Sequence, residues 1–142
     1  MLDTTLAVRS CYVAGGSTAG IAVYAGTGTI EDTEVRDTGT VGGSGQGTAD
    51  GIVAVDHAIV TLTRTHVEGA ARAGVSAFSA NVTMSSSGAT CNAIDLDGEV
   101  DPGIGDPYAF DLSAGANACG CDAMSTTCRV LSSGLAPPAP IK

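Results

Sequence analysis

The chain contains no tryptophan, and three Tyr and two Phe are all the aromatic residues in 142 positions. A core of stacked rings is therefore excluded, and the interior must be filled by Val, Ile, Leu, Ala and Thr, side chains that suit strands. Cations are scarce as well. Six Lys and Arg against 15 Asp and Glu give a net charge of −9, which repels phosphate backbones and anionic lipid, so no nucleic acid is expected as a partner. No apolar run approaches the roughly 20 residues of a membrane span. Met1-Leu2-Asp3 opens no charged and then hydrophobic leader.

Glycine (20) and cysteine (5) are plentiful instead. Cys91, Cys119, Cys121 and Cys128 lie in the C-terminal part, a usage typical of oxidised, exported proteins. Cysteines without a leader lead to the expectation of a piece of a larger exported chain. Its length is enough for one domain with a core.

The chain also repeats itself. An apolar residue, a small Cys, Thr or Ser three positions on, and Val or Ala two further recur at Val8-Cys11-Val13, Ile30-Thr33-Val35, Leu62-Thr65-Val67 and Met84-Ser87-Ala89, at spacings of 22, 32 and 22 residues. Periods of this size without a helical pattern mark a solenoid whose coils bury one another. Steps of 2, 3 and 2 between apolar positions, as in Val60-x-Leu62-x-x-Thr65-x-Val67, mean two short strands joined by a bend. The outward pairs at the bend are Arg9-Ser10, Glu31-Asp32, Thr63-Arg64 and Ser85-Ser86. A third face follows at Gly20-Ile21-Ala22-Val23, Gly51 to Val55, Gly74 to Ala77 and Ala93 to Leu96, its leading glycine suited to a turn with positive φ. Three faces imply a roughly triangular coil, with neighbours about 4.8 Å apart.

Charges test this register independently. Stacking sets Arg9 against Glu31, Asp32 against Arg64, Glu34 against His66 and Arg36 against Glu68, three opposite-charge pairs and one that becomes attractive when the histidine is protonated. The ten additional residues of the second period fall in the Gly-rich stretch Asp37 to Asp50, expected to leave the coil as a flexible loop. Coils thus occupy 1–96, an acidic loop and Cys-rich cap 97–135, and an extended Pro-rich tail 136–142.

The coils with Val-x-Leu-x-x-Thr-x-Val followed by a Gly-Val or Gly-Ile turn resemble the right-handed parallel β-helix of the pectin-lyase-like superfamily. The resemblance covers Leu6 to Leu96. It implies an all-β parallel solenoid of about four short coils closed by an irregular, disulfide-containing C-terminal cap. The segment with Cys119-Gly120-Cys121, Cys128 and Leu131-Ser132-Ser133-Gly134-Leu135-Ala136-Pro137-Pro138 resembles the ends of exported proteins of Gram-negative bacteria. Polygalacturonase-like members carry Asn-Thr-Asp, Asp-Asp, Gly-His-Gly and Arg-Ile-Lys, and pectate-lyase-like members combine calcium-binding aspartates with a catalytic Arg. Neither set is present: Lys142 is the one lysine, Asp56-His57 the one Asp-His pair, and Glu31-Asp32 the one pair of adjoining acids.

Several groups are weighed for chemistry. Asp56-His57 has the composition of an acid–base pair, but adjacent strand residues face opposite ways, and an exposed turn is expected. His66 is read as a partner of Glu34. Asp95, Asp97, Glu99 and Asp101 alternate, with Asp106 following, and offer the hard oxygens that Ca²⁺ takes, although Val100 stands where an EF-hand loop has Gly. The alternative is a solvated acidic loop. Cys11 aligns with inward Thr33, Thr65 and Ser87 and is expected to be buried. The other four cysteines allow three connectivities. Cys91 with Cys119 and Cys121 with Cys128 is the favoured one, against a Cys₄ zinc site whose Cys-x-Cys spacing is unusual. Outward Thr29, Thr61 and Thr83 form a ladder of the kind found on ice-binding solenoids, interrupted by Ala7 and Glu31.

These readings lead to a non-catalytic spacer or interaction domain of an exported bacterial surface protein, with a surface protein or polysaccharide as partner. The alternative is a carbohydrate-binding or polysaccharide-processing module, opposed by the scarcity of aromatic platforms; an ice-binding protein is a third class. An open N-terminal coil is expected to associate end to end.

Overall fold

Alternating apolar residues make strands of every predicted face, and the strands stack into five coils. The computed structural model describes residues 4–39, 49–121 and 126–139. The first coil supplies β1 (Thr4–Arg9), β2 (Tyr12–Ala14) and β3 (Ala19–Tyr24), and the second β4 (Gly26–Glu31), β5 (Glu34–Arg36) and β6 (Asp50–Val55). The third supplies β7 (Ile59–Thr63), β8 (His66–Glu68) and β9 (Ala73–Phe78), and the fourth β10 (Asn81–Ser85), β11 (Gly88–Thr90) and β12 (Ile94–Glu99). A fifth, shortened coil adds β13 (Ala109–Asp111), β14 (Ala118–Gly120) and β15 (Val130–Leu131). Three five-stranded parallel sheets result, ordered β1-β4-β7-β10-β13, β2-β5-β8-β11-β14 and β3-β6-β9-β12-β15. The protein is an all-β parallel solenoid.

Register follows the apolar columns. Val8, Ile30, Leu62 and Met84 stack on the first sheet, Val13, Val35, Val67, Ala89 and Cys119 on the second, and Ile21, Ile52, Val75, Leu96 and Val130 on the third. From Ile30 to Met84 these side chains are fully buried, each worth about 1.5–3 kcal/mol of transfer free energy.

The corners repeat too. Ser10, Asp32, Arg64 and Ser86, at one equivalent position in four coils, have φ between 45° and 52°. Their amides donate to Glu31, Thr63, Ser85 and Gly115 carbonyls of the next coil, at 3.1 Å each. Left-handed backbone here costs non-glycine residues about 1–2 kcal/mol, offset by an unbroken inter-coil ladder. Inside the same corner the Thr65 amide donates to Ser87 Oγ (3.1 Å), and the Cys11 amide to Thr33 Oγ1 (3.5 Å). Cys11 therefore holds the predicted position in the ladder, yet its thiol is free and exposed, because no described coil lies beyond the first.

The glycines at the head of the third face have a different cause from the one expected. Gly20, Gly51 and Gly74 do not have positive φ. A Cβ on Gly51 would stand 2.2 Å from Val67 Cγ1 and 2.6 Å from the Gly74 carbonyl oxygen, so crowding between coils demands glycine. Of the loop expected at 37–50, residues 40–48 lie outside the described residues. Its described ends are held by the stack: the Asp37 amide donates to the Glu68 carbonyl (3.0 Å) and the Gly39 amide to that of Gly16 (2.7 Å).

The disulfides are Cys91–Cys121 and Cys119–Cys128, not the favoured pairing. The fifth coil explains this. Ala89 pairs with Cys119 and Thr90 with Gly120, so an in-register stack sets Cys91 against Cys121. Cys119 points into the core, where Cys128 packs beside it. The segment read as an irregular cap thus adds one strand to every sheet.

Candidate functional site

The third sheet is covered on both faces. All six residues of β6 and all six of β9 are buried. Inward Ile52, Ala54, Val75 and Ala77 fill the main core, while outward Val53, Val55 and Phe78 form a second cluster with Ala19, Ala22, Tyr24 and Leu135. Leu135 comes from the C-terminal segment, which returns across the sheet as a strap. It is held at the fourth coil by Glu99, farther along by Arg72, whose Nη1 donates to the Ala136 carbonyl (2.8 Å), and at the first coil by Tyr24, whose hydroxyl donates to the Pro138 carbonyl (3.1 Å). The tail expected to trail from residue 136 is therefore docked through Pro138; residues 140–142 lie outside the described residues.

Three carboxylates and one guanidinium lie on this face. Asp50, with no exposed surface, accepts from Arg72 Nε (2.7 Å) and Nη2 (2.5 Å), from Ser76 Oγ (2.7 Å) and from the Ala73 amide (3.2 Å). Arg72 also lies 5.6 Å from the centroid of the Phe78 ring. Its Nε and Nη2 hydrogen bonds to Asp50 raise the guanidinium's pKa against the opposing effect of burial.

Asp97 and Glu99 project from the same face of β12, two residues apart. Glu99 Oε1 accepts from three successive amides, Ser133 (2.6 Å), Gly134 (2.7 Å) and Leu135 (3.2 Å), while Oε2 accepts from Ser132 Oγ (2.8 Å). The left-handed Gly134 (φ 71°) turns these amides toward one anion, a backbone nest. Burial pushes the Glu99 carboxyl up, but these hydrogen bonds outweigh it and hold the group below its usual range. Asp97 is the opposite case. It has no exposed surface, its Oδ1 accepts from the Ser133 amide (3.2 Å), and its Oδ2 has no hydrogen-bond partner among the described residues. Burial raises its pKa and the charge of Glu99 adds to that; the Ser133 side chain and amide lower it in part, and Asp50 raises it again, so the net direction is up.

No family model, curated protein or solved structure matches the chain.

The five acids considered for calcium are distributed over separate partners. Asp95 accepts from Asn92 Nδ2 (3.2 Å) and the Gly120 amide (2.7 Å). Asp97 and Glu99 face the strap, and Asp101 caps its own turn through the Gly103 amide (2.8 Å). Asp106 contacts His57 Nε2 at 2.6 Å, with Asp56 on Nδ1 at 3.0 Å. Among the described residues no group of three or more His, Cys, Asp or Glu is arranged to hold a metal ion. Asp106, and after it Asp56, raises the His57 pKa. Asp56 and His57 both have left-handed backbone in an exposed turn, as expected.

Of the four predicted charge pairs, three form: Arg9–Glu31 (3.1 Å), Arg64–Asp32 (2.6 Å) and Arg36–Glu68 (3.2 Å). His66 stacks on Glu34 in register, but its Nε2 contacts Thr90 Oγ1 at 2.7 Å. Thr29, Thr61 and Thr83 do form a column, flanked by Ala7 and Asp111.

Sequence reasoning missed the strap and its anchors Asp50 and Arg72, and it weighed Asp97 and Glu99 for calcium without seeing that they hold the strap. The signal was the unbroken apolar run at Ile52 to Val55, with Val75 to Phe78 broken only by Ser76, a mark of strands buried on both faces.

Proposed function

We propose that the chain is a non-catalytic scaffold and interaction domain of an exported bacterial surface protein, built as a right-handed β-helix of the pectin-lyase-like kind. The observation that carries this reading is where the polar side chains are engaged. Four of the arginines, Arg9, Arg36, Arg64 and Arg72, bridge carboxylates of adjoining coils, and Asp97 and Glu99 of the third sheet hold the strap. Such contacts make a rigid rod. Two disulfides support export, since such bridges persist in oxidising compartments. The partner is a surface protein or a polysaccharide.

Binding and turnover on a panel of plant, algal and bacterial polysaccharides test the proposal. A scaffold gives no turnover. Turnover overturns the non-catalytic reading in favour of a polysaccharide-processing module, and selective binding lost on Arg129→Ala decides for a carbohydrate-binding module over a protein-binding scaffold. The groove of about 760 Å³ lined by Asn92, Asp95, Thr126, Thr127 and Arg129 is the specific observation on that side.

A further inference from the structure

The strap is fixed by two carboxyl groups that converge on a single donor. The Ser133 amide lies 2.6 Å from Glu99 Oε1 and 3.2 Å from Asp97 Oδ1, so two acids share one N–H. Glu99 has the donors that an anion needs: three amides and a hydroxyl. Asp97 does not. Its Oδ2 is buried without a partner among the described residues, an arrangement that costs an ionised oxygen far more than a neutral carboxylic acid.

Among the described residues the cation whose charge reaches Asp97, Arg72, has its hydrogen bonds elsewhere. From β6, Asp50 presents another carboxylate; Arg72, just before β9, gives two of its nitrogens to Asp50 and a third to the Ala136 carbonyl. From β9, Ser76 donates to Asp50. The strap contributes Ser132 and Ser133 but no charge at this point, and Tyr24 of β3 stands at the strap's far end.

We propose that the Asp97–Glu99 pair takes up one proton, on Asp97, when the strap docks, so that residues 132–138 form a latch that tightens in mild acid and loosens as the pH rises. The sign follows from linkage. Asp97 binds its proton more tightly with the strap docked than in the solvated, unlatched state, so docking weakens as pH rises from the ordinary carboxylate value to the docked one, and is level above it. Each pH unit between the two values makes docking tenfold weaker. Glu99 acts oppositely: its contribution is complete above the ordinary carboxylate value and is lost as pH falls through its depressed one.

The test is an NMR titration of the full chain with ¹³C-labelled side-chain carboxyls and ¹⁵N amides. The Asp97 carboxyl is expected to titrate above the ordinary aspartate value, with the Gly134 and Leu135 amides moving in the same step and their exchange, corrected for intrinsic base catalysis, accelerating about tenfold per unit of elevation. Asp97→Asn, which keeps the shape without the ionisation, is expected to erase that step and leave the strap docked. Asp97 titrating at or below the ordinary value overturns the proposal, and so does an unchanged amide step in Asp97→Asn. The wild-type titration decides by itself if the variant does not fold.

Discussion

Asp50 is the residue on which most of the strap face depends. It neutralises Arg72, and through Arg72 it orders Phe78 and the Ala136 carbonyl. With no exposed surface on Asp50 and little on Arg72, removing one partner leaves the other as an uncompensated buried charge. Asp50→Leu is therefore expected to cost about 3–5 kcal/mol in urea denaturation. The double variant Asp50→Leu, Arg72→Met is expected to recover part of that loss, because no charge is then left buried; Ser76 and the Ala73 amide, which lose their acceptor, keep the recovery incomplete. A double variant as unstable as the two singles added together would show that the two residues act separately. Cys11 makes a related point about context. Its alignment with Thr33 was readable from spacing, while its burial was not, since burial depends on a neighbouring coil and not on the residue.

Elements were legible where the period held. Four coils announce themselves through the inward columns, and three of the four charge pairs that the columns imply are formed. The fifth coil did not, because its strands have three, three and two residues and its spacing is broken by Asp97 to Pro107. Missing that coil led directly to the wrong disulfides: once Thr90 is stacked on Gly120, Cys91 can only meet Cys121. The strap escaped notice for another reason. A search for inward-facing columns treats the outer face of each strand as solvent, whereas Val53, Val55 and Phe78 needed a cover of their own. Non-reducing peptide mapping is expected to find Cys91 linked to Cys121 and Cys119 to Cys128, with Cys11 as the single alkylated thiol. Replacing Cys91 and Cys121 together by Ser is expected to lower stability by about 2–4 kcal/mol. Removing this bridge releases a 30-residue separation, against nine for the other, so it should be the more costly of the two to lose.

Over the whole molecule the two ends of the stack differ. At the fifth coil the edges are short and pinned by disulfides, which blunts them as pairing surfaces. At the first coil β1, β2 and β3 are the outer strands of all three sheets, with Leu6, Val8 and Val13 only partly buried and Tyr12 64% exposed. Sheet edges that no described strand covers, beside an apolar cross-section, favour a second copy, and because the other end is blunted, association through this end alone closes at two molecules and does not grow into fibres. Net charge acts against it: −9 on each copy repels at long range, a repulsion that salt screens beyond about 8–10 Å. Sedimentation over a concentration series is therefore expected to show a monomer–dimer equilibrium that strengthens with salt. Val13→Lys, placing a charge on the open end, is expected to weaken it at least tenfold while leaving the three inner coils intact by circular dichroism. A wild-type protein that stays monomeric at high concentration and high salt would mean that the first coil's edges do not pair with another copy.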